Sequence, residues 1–383
     1  MRAVETVPTD GSPEAAARLG SLASAAVEGD GPAVLPTGPD EPAPPPELRT
    51  PVDDAVAAVV TTTGSTGAPK AVLLPAAALR ASADATYARI GPPGRWLLAL
   101  PAHHVAGLQV LLRSARAGVP AAAMDLRDGF RPDAFAAAAA DAGASYTSLV
   151  PTQLLRLLDA GGPAADALRS FTAVLLGGAA ADPVLLVRAR TAGVPVVTTY
   201  GMSETCGGCV YEGRPLAGVT VTLEEDGRIR LSGATLAAGY RGAVSDADRA
   251  AFTADGFRTN DVGAWTPDGR LRVLGRADDV IVTGGEKVAP ATVERALLAQ
   301  AGVREACAVG LPDPEWGARV VAAVVGDGLD GDALRVAVAP GLGRAAPRAV
   351  AVLDALPLRG IGKPDRAAVR AYLASCFGGS DRT

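Results

Sequence analysis

The 383 residues include 36 basic and 41 acidic side chains, for a net charge of −5, with 49% hydrophobic and 20% charged residues. That length allows two or three domains with sizeable cores, and the composition fits a soluble globular protein outside a divergent N-terminal segment. The two charge signs are interspersed with no basic block, which argues against nucleic acid as a partner, and no run of about 18 apolar residues is available to cross a membrane.

Residues 1–54 are rich in Pro, Ala, Gly and acidic side chains, and "GPDEPAPPPELRTP" predicts an extended linker or surface strap. The opening "MRAVETVPTDGSPEAAA" lacks an apolar h-region, so no secretory signal is expected. From residue 55 a βα rhythm begins. "AVAAVVTTT" is a strand running into a Gly/Ser/Thr loop, "RWLLALP" a second strand before the helical "AGLQVLLRSARAG", and "VPAAAMD" a third before "RPDAFAAAAADAG". "ASYTSLVP", "FTAVLLGG" and "VPVVTTYG" continue the series, the first two each followed by a helix of helical periodicity. Strands alternating with helices of this length predict a parallel-type sheet flanked by helices. Ligands of such sheets bind beyond the carboxyl ends of the strands. The loops "TTTGSTGAPK", "PAHHVAG", "LLGGAAAD" and "TTYGMSET" are therefore expected to converge on one crevice.

After about residue 210 the pattern changes. "GVTVTLEEDGRIRLSG" alternates and turns at Asp226-Gly227, and "GAWTPDGRLRVLGR" repeats the design at Asp268-Gly269, both hairpin signals. The expected fold class is α/β: a large domain over residues 55–275 whose last part, about 210–275, is a small β subdomain, followed by a small α+β domain over 276–383.

"TTTGSTGAPK" gathers hydroxyls, glycines and one of only three lysines, Lys70, Lys287 and Lys363. Glycines let the backbone approach an anion, and exposed N–H groups and hydroxyls donate to phosphate oxygens. The spacing G-x-x-G-x-x-K is not that of a Walker A loop. Cys206 and Cys209 form a C-x-x-C, but Cys307 and Cys376 stand alone and the only histidines, His103 and His104, lie about a hundred residues earlier. The pair therefore reads as small residues of a glycine-rich loop rather than a zinc or redox site. Four cysteines give no disulfide framework, so a cytoplasmic location is expected.

Five motifs, "TTTGSTGAPK", "TTYGMSET", "RTNDVGAWTPDGRLRVLGRADDVI", "GGEKVAP" and "GIGKPD", occur in the order of the signature set of the adenylate-forming superfamily, which the chain resembles from about residue 55 to its end. The resemblance implies a two-step reaction. A carboxylate attacks the α-phosphate of ATP, giving an acyl-adenylate and pyrophosphate, and a thiol, usually that of CoA, then displaces AMP. It also implies that the small C-terminal domain is a mobile lid.

Carried over by motif, Thr62, Thr63, Gly64, Ser65, Thr66, Gly67 and Lys70 grip the β- and γ-phosphates. Gly177, Gly178 and Ala179 flank the nucleotide and acyl group. Thr199, Tyr200, Gly201, Met202 and Ser203 line the adenine, with Tyr200 stacking on it. Glu204 is the Mg²⁺-linked carboxylate, Asp261 binds the ribose, Arg276 lies near the ribose and the linker, and Asp278 is the hinge. Gly284 and Gly285 let the pantetheine of CoA pass close to the backbone. Lys363 brings a compact charge to the attacking carboxylate and α-phosphate, a place that suits ammonium better than the broader guanidinium. His104 takes the histidine position of the family's P-x-[aromatic]-H-x-x-G loop on the substrate side, and His103 replaces the usual aromatic.

The compact length and "PAHHVAGLQVLLRSARAG" are most similar to short actinobacterial o-succinylbenzoate–CoA ligases of menaquinone biosynthesis; another aryl- or acyl-CoA ligase, or a stand-alone adenylation enzyme, is the alternative. The expected partners are ATP, Mg²⁺, CoA and an aromatic dicarboxylate, with a homodimer as the state common among relatives. One carboxylate of that acid is activated and the other only recognised. Arg113, on the helix after His104, is the candidate cation for the second.

Overall fold

The computed structural model describes residues 1–63, 69–359 and 363–377. In chain order the elements are β1 (Val4–Pro8), α1 (Pro13–Glu28), β2 (Ala33–Thr37), β3 (Val56–Thr63), β4 (Pro69–Pro75), α2 (Ala76–Ile90), β5 (Trp96–Leu98), α3 (Val105–Arg116), β6 (Ala122–Ala123), α4 (Pro132–Ala142), β7 (Tyr146–Leu149), α5 (Pro151–Ala160), α6 (Gly162–Ser170), β8 (Ala173–Leu176), α7 (Pro183–Thr191), β9 (Val196–Met202), β10 (Gly207–Tyr211) and β11 (Arg214–Pro215). Then come β12 (Val219–Leu223), β13 (Arg228–Gly233), β14 (Gly239–Gly242), α8 (Asp246–Ala251), β15 (Phe252–Thr253), β16 (Gly256–Trp265), β17 (Leu271–Arg276), β18 (Ile281–Thr283), β19 (Glu286–Val288), α9 (Pro290–Leu298), β20 (Val303–Asp313), β21 (Gly317–Gly326), α10 (Gly331–Leu342), β22 (Ala349–Leu353), β23 (Leu358–Arg359), β24 (Lys363–Pro364) and α11 (Arg366–Phe377).

The chain divides into two compact units: residues 1–222, 230–259 and 267–271 in the first, and 223–229, 260–266 and 272–383 in the second. A mixed α/β architecture with a large N-terminal and a smaller C-terminal part follows.

Among the described residues two sheets lie wholly within the first unit. Strands β5 to β9 form the parallel part of a sheet of order β11-β10-β9-β8-β7-β5-β6, with β10 antiparallel to β9. These are the strands expected from the βα rhythm. One layer of its core gathers Leu97, Phe135, Leu149, Leu154, Leu157, Leu168, Phe171 and Leu176. Trp96 and Tyr146, at the starts of β5 and β7, are fully buried and pack ring to ring, 5.1 Å between centroids. Strand β3 does not join this sheet. It lies in a second one of order β1-β2-β3-β4-β14, parallel to β2 and antiparallel to β4. The phosphate-loop motif thus lies between two antiparallel partners and is not a βα crossover loop.

The first fifty residues correct the expectation of a linker. β1 pairs in parallel with β2, and β2 in parallel with β3, so the N-terminus supplies two strands and a helix to the second sheet. The sequence carries the signals locally. Ser12 caps α1 by accepting from the Ala15 amide, Pro13 follows in the first turn, and Gly29 closes the helix in the left-handed conformation. Leu19, Ala23, Ala26 and Val27 bury one face, and all five residues of β2 are buried. Even the proline-rich stretch folds back: Leu48, in a 3₁₀ turn over Pro46–Arg49, is fully buried.

In the second unit β20 and β21 are antiparallel and β22 runs parallel to β21. Val293 and Leu297 of α9 and Leu334 and Val338 of α10 cover one face, while Val369 and Leu373 of α11 pack with Val309 and Val321 on the other.

Candidate active site

The carboxyl ends of β8 and β9 lie side by side, with Leu176 opposite Thr198. Gly177, just beyond β8, donates its amide to Leu149 O, and Thr199 Oγ1 donates to Leu176 O at 3.2 Å. Gly178 and Ala179 follow, both exposed. Tyr200, Gly201 and Met202 sit half-buried in the last residues of β9, and Ser203 opens a 3₁₀ turn over Ser203–Thr205. Gly201 has no alternative: a Cβ there would stand 2.1 Å from Gly207 O on β10.

That turn carries Glu204, which is buried. Two side chains of neighbouring helices fix it from behind. Ser82 Oγ of α2 and Gln109 Nε2 of α3 both donate to the Cys206 carbonyl, at 3.0 and 2.8 Å. Cys206 itself takes the left-handed conformation, φ 52°. Its thiol is pushed well up by burial and that of Cys209 to about 12, and both are free and buried.

From the front, Tyr240 of β14 donates its hydroxyl to Glu204 Oε1 at 2.5 Å. Burial, and then the Glu204 charge, push the phenol far above its usual range, so it remains a donor. Tyr240 also faces Lys70. In the antiparallel β4/β14 pair Tyr240 opposes Val72 and Gly242 opposes Lys70, which puts Lys70 and Tyr240 diagonally on one face. The Lys70 ammonium lies 4.2 Å from the Tyr240 ring centroid and 2.5 Å from Asp248 Oδ1 of α8. Burial raises the Asp248 carboxyl, but hydrogen bonds from Lys70 and Ser245 outweigh it and leave the group below its usual range. Two motifs over 130 residues apart, read separately as phosphate-gripping and metal-linked, thus meet through one tyrosine ring. Thr62 adjoins them, paired with Lys70 across the β3/β4 ladder. Gly64, Ser65, Thr66 and Gly67 lie outside the described residues, and Thr63 is described as the end of β3.

Glu204 suits a hard cation. Its carboxylate is buried at a strand end and oriented by a neutral donor. Among the described residues no group of three His, Cys, Asp or Glu forms a cage. One protein carboxylate plus substrate phosphates is a common arrangement for Mg²⁺.

His104 occupies the N-cap position of α3, in the loop after β5, with no side-chain capping hydrogen bond. His103, which replaces the family's usual aromatic, is buried, and its Nδ1 lies 3.3 Å from Thr9 Oγ1, just beyond β1. Thr9 Oγ1 also donates to Thr37 O at 2.9 Å, which ties the end of β1 to the end of β2 beside this ring.

Arg113 corrects the expectation of a substrate-binding cation beside His104. Nine residues of helix separate them, about 13 Å along the axis. Arg113 is only 3% exposed, with its guanidinium 5.2 Å from the Trp96 ring centroid and 3.5 Å from the Tyr211 hydroxyl. Trp96 begins β5, so Arg113 lies toward the amino ends of the parallel strands, opposite the end that carries His104. It serves the core there, and the Tyr87 hydroxyl donates to its carbonyl at 2.6 Å.

In the second unit, Arg276 makes a two-pronged pair with Asp278, both contacts 3.0 Å, and the charges of Asp261 and Asp279 further support its cationic form. The expected ribose, linker and hinge residues therefore form one charged group. Gly284 and Gly285 form the β18/β19 turn with φ of 54° and 80°, and a Cβ on Gly284 would stand 2.5 Å from the Trp316 ring. Lys287 lies on β19 opposite Val282. Lys363 and Pro364 form β24, paired with β23 so that Arg359 opposes Lys363. Gly360 and Gly362 lie outside the described residues.

Sequence reasoning missed Tyr240, Asp248, Ser82 and Gln109. Ser245-x-x-Asp248 was legible only as a capping box, which the structure contains.

Residues 4–256 match the AMP-binding enzyme family, and residues 292–363 match the AMP-binding enzyme C-terminal domain. A protein of Mycobacterium tuberculosis described as "Probable 2-succinylbenzoate--CoA ligase" is 50% identical over 331 residues, covering 83% of this chain and 85% of that protein. Among solved structures, o-succinylbenzoate CoA synthetase of Bacillus subtilis in complex with its acyl-adenylate intermediate is 26% identical with a TM-score of 0.75, over 96% of this chain and 78% of the other. The same enzyme with ATP and magnesium ion gives 27% and 0.74, over 96% and 83%. An amide bond synthetase of Marinactinospora thermotolerans gives 27% identity and a TM-score of 0.78, over 97% and 80%.

Proposed function

The chain belongs to the AMP-binding enzyme family, and from that premise we propose that it is an ATP-dependent 2-succinylbenzoate–CoA ligase. A carboxylate oxygen of the acid attacks the α-phosphorus and pyrophosphate leaves. The CoA sulfur then attacks the acyl carbon and AMP leaves, forming the thioester used in menaquinone biosynthesis. The observation that carries the adenylation step is the Lys70–Tyr240–Glu204 group, which places an ammonium over the face of one ring and a buried carboxylate at its hydroxyl.

In this reading Lys70, with the hydroxyls and amides of Thr62 to Gly67, holds the β- and γ-phosphates. Glu204 holds Mg²⁺, which when bound neutralises the triphosphate charge. Gly177, Gly178 and Ala179 present backbone to the acyl-adenylate. Tyr200 takes the adenine, and Asp261 with Arg276 the ribose. Lys363 stabilises the charge that builds between carboxylate and α-phosphate. His104 lines the substrate side, Gly284 and Gly285 the path of CoA, and Asp278 is the pivot between half-reactions. A cytoplasmic homodimer completes the reading.

The test is capture of the intermediate. With ATP, Mg²⁺ and 2-succinylbenzoate but no CoA, the protein should release pyrophosphate and accumulate an acyl-adenylate detectable by mass spectrometry. Pyrophosphate release that does not depend on the acid would remove this reading.

A further inference from the structure

Arginine 366 lies three residues beyond Lys363, and its guanidinium is almost fully used. Nη1 and Nη2 donate to the two carboxylate oxygens of Glu294 on α9, at 2.5 and 3.1 Å. Nη1 also donates to Ala308 O of β20 at 2.8 Å, and Nε lies 3.3 Å from Asp279 Oδ2. Glu294 Oε1 in turn accepts from the Ala308 amide at 2.8 Å. One side chain thus ties together α9, β20, the start of α11 and the residue that follows Asp278.

The chain between this clamp and Lys363 has little freedom. Pro364 has a fixed φ. Asp365 donates its amide to Pro357 O at 2.8 Å, and its side chain accepts from the Ala367 and Ala368 amides. On the other side, Arg359 opposes Lys363 across the β23/β24 pair. The backbone of Lys363 is therefore fixed by a strand pair before it and by a charged clamp after it.

We propose that Arg366 is a positioning residue for Lys363, which locks the lysine-bearing segment to the residues next to the hinge position so that they move as one body. The inference rests on the adenylation role given to Lys363 above. The residue type follows from the geometry. A planar fork fills two carboxylate oxygens, a carbonyl and a second carboxylate, which an ammonium point charge does not. The chain uses lysine at 363, where a slim charge is required, and arginine at 366, where a rigid one is.

The test compares Arg366→Lys, Asp279→Asn and Lys363→Ala in the full-length protein, with each half-reaction measured separately. Adenylation is read as acid-dependent exchange of pyrophosphate into ATP. Thioester formation is read from preformed acyl-adenylate and CoA. Arg366→Lys should lower kcat for adenylation about tenfold, leave KM for ATP within about twofold, and leave thioester formation within about twofold. Asp279→Asn, which removes only the outermost contact, should lower adenylation about threefold in the same selective way, and it carries the test alone if Arg366→Lys does not fold. In a Lys363→Ala background Arg366→Lys should cost nothing further in adenylation, because it acts only through that lysine. Equal loss in both half-reactions, or a further loss in the Lys363→Ala background, would overturn the proposal and leave Arg366 a fold-stabilising residue. If Lys363→Ala itself adenylates normally, the assigned role of the lysine fails, and the proposal with it.

Discussion

Tyr240 donates its phenolic hydroxyl to Glu204 at 2.5 Å, and the face of its ring receives the Lys70 ammonium at 4.2 Å from the centroid. A tyrosine supplies both functions at once: a neutral donor that orients a carboxylate, and a π face that holds a cation. Tyr240→Phe separates them by keeping the ring and deleting the donor. We predict a several-fold higher Mg²⁺ requirement in pyrophosphate exchange and a stability loss of about 1–2 kcal/mol. Magnesium titration at fixed ATP and denaturant unfolding of the ligand-free protein check this. An unchanged magnesium dependence would make Tyr240 a packing residue only.

Asp248 holds Lys70 by its own charge, with the two side chains 28% and 15% exposed. ATP phosphates and the Asp248 carboxylate are competitors for that ammonium. Asp248→Asn should therefore lower KM for ATP several-fold, while Lys70→Ala raises it. The folded-state pKa of Asp248 is below its ordinary 3.8. The stabilisation it gives is thus present above about pH 4 and lost as pH falls through the lower folded value. Unfolding curves should show wild type more stable than Asp248→Asn by about 1 kcal/mol at neutral pH, with the gap closing in acid below pH 4.

Arg113 is buried against Trp96, and its Nε finds no hydrogen-bond partner among the described residues. Arg113→Ala should destabilise the protein by about 2–4 kcal/mol through lost packing and exposed core, and leave KM for the dicarboxylic acid unchanged. Arg113→Met, which refills the space without a charge, should recover most of that loss. Melting temperature and steady-state kinetics separate the outcomes, and a raised KM at unchanged stability would return Arg113 to the substrate pocket.

Burial holds the His103 imidazole below its ordinary pKa of 6.5, partly countered by Glu41, and the His104 ring packs beside it, 4.2 Å between centroids. The unfolded chain then takes up a proton before the folded one does. Stability is complete above about pH 6.5 and declines as pH falls through that value toward the lower folded pKa. His103→Phe should flatten this decline. Melting temperatures of both proteins between pH 5 and 8 provide the measurement, and parallel curves would contradict it.

Much of the fold can be read from the sequence because its elements carry local signals. The strands of the parallel sheet are short, mostly apolar runs, and β8 and β9 end in loops rich in Gly, Ser and Thr. The N-terminal strands are less legible. Proline and alanine dominate there, and what makes "AVLPT" a strand is its place between β1 and β3, a tertiary fact. The site divides similarly. Glu204 and Lys70 lie in motifs that can be recognised one at a time. Tyr240 and Asp248 join them only through the β4/β14 register, and "AAGYRG" holds no local sign of that register. Arg113 misleads because helical spacing places it on the helix after His104 without saying which end of the sheet it reaches.

With ATP, Mg²⁺ and CoA, initial rates of thioester formation should be measured for 2-succinylbenzoate beside benzoate, a medium-chain fatty acid and sulfoacetate. For a 2-succinylbenzoate–CoA ligase, kcat/KM for 2-succinylbenzoate is expected to lie at least about a hundredfold above the others, a discrimination that a recognised second carboxylate supports. Comparable or faster turnover of a monocarboxylic acid would contradict it.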